Sequence, residues 1–87
     1  MKNLERILKA LANKRRLEII KSLKREAGYE LSVGEIAEKI KLSFKATSRH
    51  LKILSEADIL EKEQRNIQVF YRIDSSDKLV KYIVSLL

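Results

Sequence analysis

Apolar residues at the start of the chain recur with the period of an α-helix. Four of them follow the spacing i, i+3, i+4, i+7 and predict one apolar stripe on a first helix over about residues 2–12. These residues are Leu4, Ile7, Leu8 and Leu11. Asn13 has the short polar side chain that favours the position just before a helix, so it predicts the N-cap of a second helix. The apolar residues of that helix are Leu17, Ile19, Ile20 and Leu23. Gly28 is expected to end it.

Two more helices, the first of them short, are predicted in the middle of the chain, with only a few residues between them. Ser32 and Glu35 have the spacing of a capping box, in which each side chain accepts a backbone N–H at the helix start. The third helix that follows carries Val33, Ile36, Ala37 and Ile40 on one stripe. Ser43 then predicts the N-cap of a fourth helix, two or three residues after the third one ends. So short a connection between two helices is typical of a helix-turn-helix.

After Asp58 the period of the apolar residues changes from 3.6 to 2. Every second residue from Ile67 to Ile73 is apolar, which predicts a β-strand. Residues 59–63 can form its partner strand, with the turn of the hairpin at residues 64–66. The pattern therefore predicts one small β-hairpin.

A last helix is predicted after the hairpin, with Ser75 or Ser76 as its N-cap. Its apolar residues are Leu79, Val80, Ile83, Val84 and Leu87. The sequence contains no internal repeat and no linker-like segment, so residues 1–87 are expected to form one domain. The predicted fold is mostly α with a small β-hairpin, in the order α-α-α-α-β-β-α.

Composition narrows the class of protein. The 87 residues include no Cys and one His, which excludes a disulfide framework, a Cys-based zinc site and an all-His metal site. No stretch reaches the roughly 18 consecutive apolar residues that span a bilayer, so a cytoplasmic protein is expected. A domain of this size buries only about 60–65% of the surface of its unfolded chain, and self-association would add to that burial.

Charge is unevenly distributed along the chain. The net charge is +7, from 19 basic and 12 acidic residues. Five of the basic residues and none of the acidic ones lie between residues 39 and 55. They are Lys39, Lys41, Lys45, Arg49 and Lys52. Such a concentration of one sign of charge indicates a local anion-binding surface rather than general solubility.

The fourth helix is predicted to have an apolar face and a cationic face. At about 100° per residue, its apolar face holds Thr47, Leu51 and Leu54. Lys45, Arg49 and Lys52 fall almost opposite, with Ser48 beside them. An acidic residue on that face would be repelled by the two phosphate backbones that border a major groove. Arg49 is the candidate for recognising a guanine edge, because its planar fork can donate two hydrogen bonds.

Further contacts with DNA are expected on either side of this face. The backbone N–H groups after Ser43 lie at the positive end of the helix dipole and suit a phosphate. Phe44 is in line with Leu51 on the apolar face, but in the first turn it can instead be half exposed and contact a sugar or a thymine methyl group. Arg65 and Asn66, at the hairpin tip, suit a wing that contacts the DNA backbone or the minor groove. The alternatives are a solvated cationic face and an ordinary hairpin turn.

The sequence offers no catalytic site. Ser48 and His50 are two residues apart on one helix, so their side chains diverge and cannot form a nucleophile and base pair. His50 borders the apolar face, where a packed or phosphate-bonded imidazole is the simpler interpretation. No Gly-rich phosphate loop is present either. We do not expect an enzyme.

Four motifs follow one another along the chain: ALANKRRLEII at residues 10–20, LSVGEIAEKIKLS at 31–43, TSRHLKIL at 47–54 and VFYRI at 69–73. Together they resemble the ArsR/SmtB family of bacterial and archaeal transcriptional regulators. The resemblance implies a winged helix-turn-helix homodimer whose fourth helix binds the operator. It places the recognition segment on Ser48, Arg49, His50 and Leu51, and the wing tip near Arg65 and Asn66.

The resemblance also implies a dimer interface on the first and last helices, which fits the apolar stripes predicted there. The expected interface residues are Leu4, Ile7, Leu8, Leu11, Leu79, Val80, Ile83, Val84 and Leu87. Many members sense soft metals through two Cys at the start of the third helix, where this chain has Ser32 and Gly34. Asp74 and Asp77, near the start of the last helix, have no His beside them. No metal cofactor is therefore expected.

The leading hypothesis is a sequence-specific transcriptional regulator, expected to be a repressor, that binds double-stranded DNA as a homodimer on an imperfect inverted repeat. One alternative is an architectural protein that binds DNA without regard to sequence. The other is a winged-helix interaction module whose basic face contacts an acidic protein.

Overall fold

The computed structural model describes residues 3–26 and 30–87, which form five helices and one three-stranded sheet. The helices are α1 (Leu4–Leu11), α2 (Lys14–Arg25), α3 (Val33–Ile40), α4 (Phe44–Glu56) and α5 (Lys78–Ser85). The strands are β1 (Glu30–Ser32), β2 (Leu60–Arg65) and β3 (Gln68–Ile73). Gly28, which was predicted to end the second helix, lies outside the described residues. The predicted order of elements is confirmed, and β1 is an addition to it.

Short polar side chains begin the helices, mostly where the sequence predicts them. Asn13 accepts a hydrogen bond from the backbone N–H of Arg16, and Ser43 accepts one from Ala46. The predicted capping box of α3 is complete, because Ser32 and Glu35 each accept the other's backbone N–H. These side chains satisfy donors that the first turn of a helix leaves unpaired.

The N-cap prediction for the last helix was wrong. Asp77 caps α5, and its carboxylate accepts the backbone N–H of Val80 at 3.0 Å. Ser76 instead donates its hydroxyl and its backbone N–H to the Asp74 carboxylate, at 2.6 and 3.2 Å. Both types of residue are good N-caps, so local sequence alone did not distinguish them.

The sheet is antiparallel with the strand order β1-β3-β2. β1 was not predicted, because a strand of three residues is too short to display a period of two. It pairs with β3 so that Glu30 lies opposite Arg72 and Ser32 opposite Phe70. Ser32 is therefore both the end of a strand and the cap of α3, which attaches the helix-turn-helix directly to the sheet.

The hairpin turn lies further along the chain than predicted. Arg65 is still paired in β2, opposite Gln68, so the connection consists of Asn66 and Ile67 alone. Asn66 has a φ of 56°, in the left-handed region that asparagine tolerates better than most residues. Ile67, predicted as the first residue of the strand, is 96% exposed in the turn.

The core lies between the helices and the inner face of the sheet. Its fully buried side chains come chiefly from α2, α3 and α4: Ile19, Ile20, Leu23, Ile36, Leu51 and Leu54. The turn between α3 and α4 is three residues long, and Lys41 closes α3 with a left-handed φ of 56°. Asp58, after α4, also takes a left-handed conformation, with a φ of 60°. Among the described residues, no helix has the length and apolarity needed to cross a membrane.

Candidate nucleic-acid interface

The two faces of α4 are arranged as the helical period predicts. Thr47, Leu51 and Leu54 are completely buried against the rest of the domain. Lys45, Arg49 and Lys52 are exposed on the opposite side, and Ser48 beside them is half-buried. Burial of one face fixes the rotation of the helix about its axis, so the cationic face is held toward solvent.

The three cations on the outer face of α4 are available for a ligand. Within residues 3–26 and 30–87, Lys45, Arg49 and Lys52 take part in no ion pair. Lys39, which belongs to the same basic stretch of sequence, differs because its ammonium lies 2.8 Å from Glu26. The hydrogen bond with Glu26 is the main cause that raises the pKa of Lys39. The outer face of α4 therefore presents three exposed cations that no carboxylate among the described residues neutralises.

At the start of α4, the predicted contact residues lie beside the wing. Ser43 is exposed and caps the helix, with its hydroxyl oxygen 3.1 Å from the Ala46 nitrogen. Phe44 is 63% exposed and does not enter the core. It lines a shallow cavity of about 160 Å³ together with Gly34 at the start of α3 and Ile67 at the wing tip. The structure thereby brings the start of α4 and the wing tip to one surface.

The arginines of the wing are paired with carboxylates, unlike the cations on the outer face of α4. Arg65 donates hydrogen bonds to Glu63 and Glu30, and its guanidinium lies 4.6 Å from the centre of the Phe70 ring. Arg72 donates to the same two carboxylates and to Glu61. Arg65 is therefore held on the face of the sheet, while Asn66 and Ile67 occupy the tip. We call these five charged residues, from all three strands, the wing network: Glu30, Glu61, Glu63, Arg65 and Arg72.

Mutual hydrogen bonds stabilise the charged forms in the wing network. The hydrogen bond from Arg65 is the main cause that lowers the pKa of Glu63, and Arg72 adds to it. Hydrogen bonds with Glu63 likewise raise the pKa values of Arg65 and Arg72. With three carboxylates and two guanidinium groups, the network carries a net negative charge at neutral pH. A phosphate approaching Arg65 meets competing carboxylates.

His50 lies at the edge of α4, half-buried against α2. Its Nδ1 is 3.2 Å from Nη1 of Arg16. Burial is the main cause that lowers the pKa of His50, and the positive charges of Arg16 and Arg15 lower it further. The sequence pattern did not single out Arg16, whose only signal was its place in the motif at residues 10–20.

The apolar residues predicted for a dimer interface fall into two groups. Ile7, Leu11, Val80 and Val84 are buried in the core of their own protomer, which removes them from a surface that a partner can contact. Leu79 and Ile83 are partly buried, while Leu4, Leu8 and Leu87 are exposed. Two further exposed apolar side chains, Tyr82 in α5 and Leu86 at its C-cap, were not among the predicted residues. Their signal was a spacing of three residues from Leu79 and Ile83.

The positions that the resemblance associates with soft metals do not fit a metal ion here. The hydroxyl of Ser32 is buried and accepts the backbone N–H of Glu35, while Gly34 has no side chain to offer. Nor does the described part of the chain bring any three His, Cys, Asp or Glu side chains together as a metal site.

A helix-turn-helix with an exposed cationic second helix, followed by a β-hairpin beside it, defines a winged helix-turn-helix DNA-binding domain. Comparison with known proteins agrees with this class. The profile of the arsR family of bacterial regulatory proteins matches residues 13–62. The chain belongs to this family, and it is a DNA-binding transcriptional regulator rather than an enzyme.

Individual relatives span nearly the whole chain. It is 38% identical to the transcriptional activator HlyU of Vibrio cholerae serotype O1, over 93% of this chain and 70% of that protein. It is 40% identical to the nodulation protein NolR of Rhizobium meliloti, over 91% of this chain and 62% of that protein.

Solved structures agree with the same fold. The structure of reduced HlyU from Vibrio cholerae superposes with a TM-score of 0.82 at 36% identity, covering 95% of this chain and 82% of that one. A homodimeric winged helix-turn-helix domain from Mycobacterium bovis superposes with a TM-score of 0.81 at 29% identity, covering 95% of this chain and 72% of that one.

Proposed function

We propose that this protein regulates transcription by binding a specific duplex DNA sequence as a homodimer, without a Cys-type metal-sensing site. The observation that carries the proposal is the outer face of α4. Lys45, Arg49 and Lys52 are exposed there and have no ion-pair partner among the described residues. A helix of about 10–12 Å diameter with one such face suits a major groove about 12 Å wide.

Different residues of this face have different roles in the proposal. Arg49 recognises a base, because its two parallel N–H donors match the O6 and N7 acceptors of guanine. Lys45 and Lys52 hold phosphates as flexible point charges, and Ser48 and His50 add neutral hydrogen bonds. The N–H groups at the start of α4, after Ser43, suit a further phosphate. Phe44 supplies apolar contact at the same end of the helix.

The wing contributes mainly through its tip. Asn66 and the exposed Ile67 are placed to contact the backbone or the minor groove. Arg65 contributes less than the sequence predicted, because Glu63 and Glu30 already hold its guanidinium. A phosphate would have to compete with both carboxylates for it.

Dimerisation is part of the proposal because one recognition helix contacts too few base pairs for strong discrimination. Two copies related by a twofold axis present their α4 helices to successive major grooves about 34 Å apart, which predicts an imperfect inverted repeat. The candidate contacts between copies are the exposed apolar residues Leu4, Leu8, Tyr82, Leu86 and Leu87, together with the partly buried Leu79 and Ile83. The homodimeric relative from Mycobacterium bovis supports this assembly.

Selection of bound fragments from random duplex DNA, followed by sequencing, tests the proposal. We expect an enriched inverted repeat, and a large ratio between its affinity and that of a scrambled duplex of equal length. Binding to all duplexes alike would favour an architectural protein instead. No binding even at low salt would favour a protein-interaction module.

The direction of regulation needs a separate experiment. We expect repression, since a dimer that occupies about two turns of DNA excludes other proteins from the same stretch. Transcription in vitro from a template that carries the selected sequence over the promoter measures this directly. An increase in transcript would assign the role of activator, the role in the name of the relative HlyU.

A further inference from the structure

Arg16 connects three helices at the inner edge of α4. Its backbone N–H donates to the Asn13 side chain at 3.1 Å, which fixes it in the first turn of α2. Its Nε donates to the carbonyl oxygen of Ala10 in α1 at 2.6 Å. Its Nη1 lies 3.2 Å from Nδ1 of His50 in α4. One side chain of α2 is thus hydrogen-bonded to both α1 and α4.

The chemistry of the Arg16 side chain decides the protonation of its neighbour. A guanidinium group carries only N–H donors, so Nδ1 of His50 has to accept the hydrogen bond. An accepting Nδ1 carries no proton, and the proton of a neutral imidazole is then on Nε2. The contact therefore selects one tautomer of His50 and excludes the imidazolium form.

The electrostatic surroundings of His50 act in the same direction. Burial opposes the charged form, and Arg16 and Arg15 in α2 add like charge nearby, so the pKa of His50 lies below its usual 6.5. The nearest charged neighbour along α4 itself is Arg49, whose side chain is exposed on the outer face. Protonation would place an N–H donor against the Arg16 guanidinium and break the contact.

The second nitrogen of the His50 ring is left for another partner. Among the described residues, no acceptor forms a hydrogen bond with Nε2, and His50 is only half-buried. A neutral Nε2–H is a suitable donor for a phosphate oxygen at the side of the groove that α4 would occupy.

We infer that Arg16 is a positioning residue for DNA recognition: it holds His50 as the neutral Nε2–H tautomer and fixes α4 against α1 and α2. This inference rests on the proposed role of α4 as the recognition helix. Arg16 acts on sequence discrimination by orienting α4, and with it Arg49. His50 acts on affinity by donating its Nε2–H to a phosphate.

The first test observes His50 by NMR in the free protein. The chain has one His, so a ¹⁵N-detected imidazole titration reports this residue alone. We expect the Nε2–H tautomer, and a rise in the pKa of His50 in Arg16→Met, because a neighbouring positive charge has been removed. Arg25→Met removes the same charge from the exposed far end of α2 and should leave the pKa unchanged. An unchanged pKa in Arg16→Met would overturn the inference.

The second test separates the two nitrogens of His50 by substitution. In His50→Asn, the side-chain oxygen can take the place of Nδ1 and keep the contact with Arg16, while the outer donor is lost. In His50→Gln, the amide can take the place of Nε2, while the acceptor for Arg16 is lost. Affinities for the selected operator and for a scrambled duplex are measured for both, after thermal unfolding has shown that they are folded.

The two substitutions should give different results. We expect His50→Asn to weaken binding to both duplexes by about threefold to tenfold, the loss of one hydrogen bond, with their ratio unchanged. His50→Gln should lower mainly the affinity for the operator, and so reduce the ratio. Identical behaviour of the two variants on both duplexes overturns the inference.

A double variant checks that the two side chains act together. If Arg16 works through His50, adding Arg16→Met to His50→Gln should reduce the operator ratio little further. If the two substitutions reduce the ratio by independent, additive free energies, Arg16 does not act through His50. If the wild-type protein does not distinguish operator from scrambled duplex, the proposed function fails, whereas the NMR result for His50 still stands or falls independently.

Discussion

The outer face of α4 and the face of the wing sheet carry the same kinds of cation in opposite circumstances. On α4, Arg49 is exposed and has no ion-pair partner among the described residues. On the sheet, each guanidinium of the wing network contacts at least two carboxylates, at distances between 2.9 and 3.5 Å. The comparison teaches that the number of basic residues in a segment does not measure its capacity to bind an anion.

The difference follows from the neighbours that each kind of element supplies. On a helix, the surface neighbours of Arg49 lie three and four residues away, and those positions hold Lys45, Ala46, Lys52 and Ile53. In the sheet, the neighbours come from other strands, and the register places Arg72 between Glu30 and Glu61. The wing cations are therefore neutralised by carboxylates from neighbouring strands and, for Arg65, also by Glu63 two residues before it, whereas the cations of α4 have no carboxylate beside them.

The paired charges of the wing and the unpaired charges of α4 therefore have different roles. Exposed ion pairs add little stability individually, but the wing network joins all three strands next to the turn that carries Asn66 and Ile67. In the proposed function, the cations of α4 are the ones that contact DNA. Each of the following variants would test this contrast, from the largest expected effect to the smallest.

Arg49→Ala should have the largest effect on DNA binding. Loss of a two-point contact with a base should weaken binding to the selected operator by about 1–3 kcal/mol and relax preference at one base pair. Fluorescence anisotropy on the operator and on duplexes substituted at single positions measures both effects. Arg25→Ala, on the exposed end of α2, is the matched control and should bind as the wild type does.

Lys52→Ala should weaken binding to all sequences to a similar extent. A phosphate contact contributes through counterion release, so the slope of log K against log salt should fall by about 1 for each protomer. Lys21→Ala, exposed on α2, serves as the control and should leave the slope unchanged. A loss confined to the operator would instead make Lys52 a base-contacting residue.

Glu63→Gln should increase the affinity for duplex DNA, because it removes one of the two carboxylates that pair with Arg65 and one of the three that pair with Arg72. The increase should be independent of sequence and should disappear at high salt. Glu38→Gln removes the same charge from an exposed position on α3, so only an excess over that control reports the freed arginines. Equal increases in affinity in the two variants would show that the gain comes from the change in net charge and not from the loss of ion pairing with Arg65 and Arg72.

The pH dependence of the wing follows from the same pairing. Hydrogen bonds from Arg65 and Arg72 lower the pKa of Glu63 below its usual 4.5. The contribution of Glu63 to stability is then fully present above pH 4.5 and is lost as the pH falls through its lowered pKa. DNA affinity above pH 5 should show no titration of this carboxylate.

Arg65→Met should have the smallest effect on DNA binding. The substitution keeps an aliphatic chain over the Phe70 ring and removes a charge that Glu63 and Glu30 already neutralise. Anisotropy should show a smaller loss than for Lys52→Ala, at every salt concentration. A loss as large as that of Lys52→Ala would mean that Arg65 leaves the wing network when DNA is bound.

Much of the fold could be predicted because its signals are local. Asn13, Ser32 and Ser43 cap helices within three residues of themselves, and the stripe of α4 repeats within two turns. The features that were not predicted correctly depend instead on contacts between distant parts of the chain. β1 is defined by pairing with β3, some 40 residues away, and the hairpin turn by a register that extends β2 to Arg65. Neither is visible in a window of a few residues.

Of the candidate site, the sequence by itself determined which face of α4 is cationic, because the helical period and the buried residues Thr47, Leu51 and Leu54 leave one rotation of that helix. Only the tertiary structure decided which cations are free. Arg65 is paired with Glu30, 35 residues away, and His50 meets Arg16, 34 residues away. The physical reason is that the periodicity of a helix is a property of adjacent turns, whereas the partner of a charge or an imidazole is chosen by how distant segments pack.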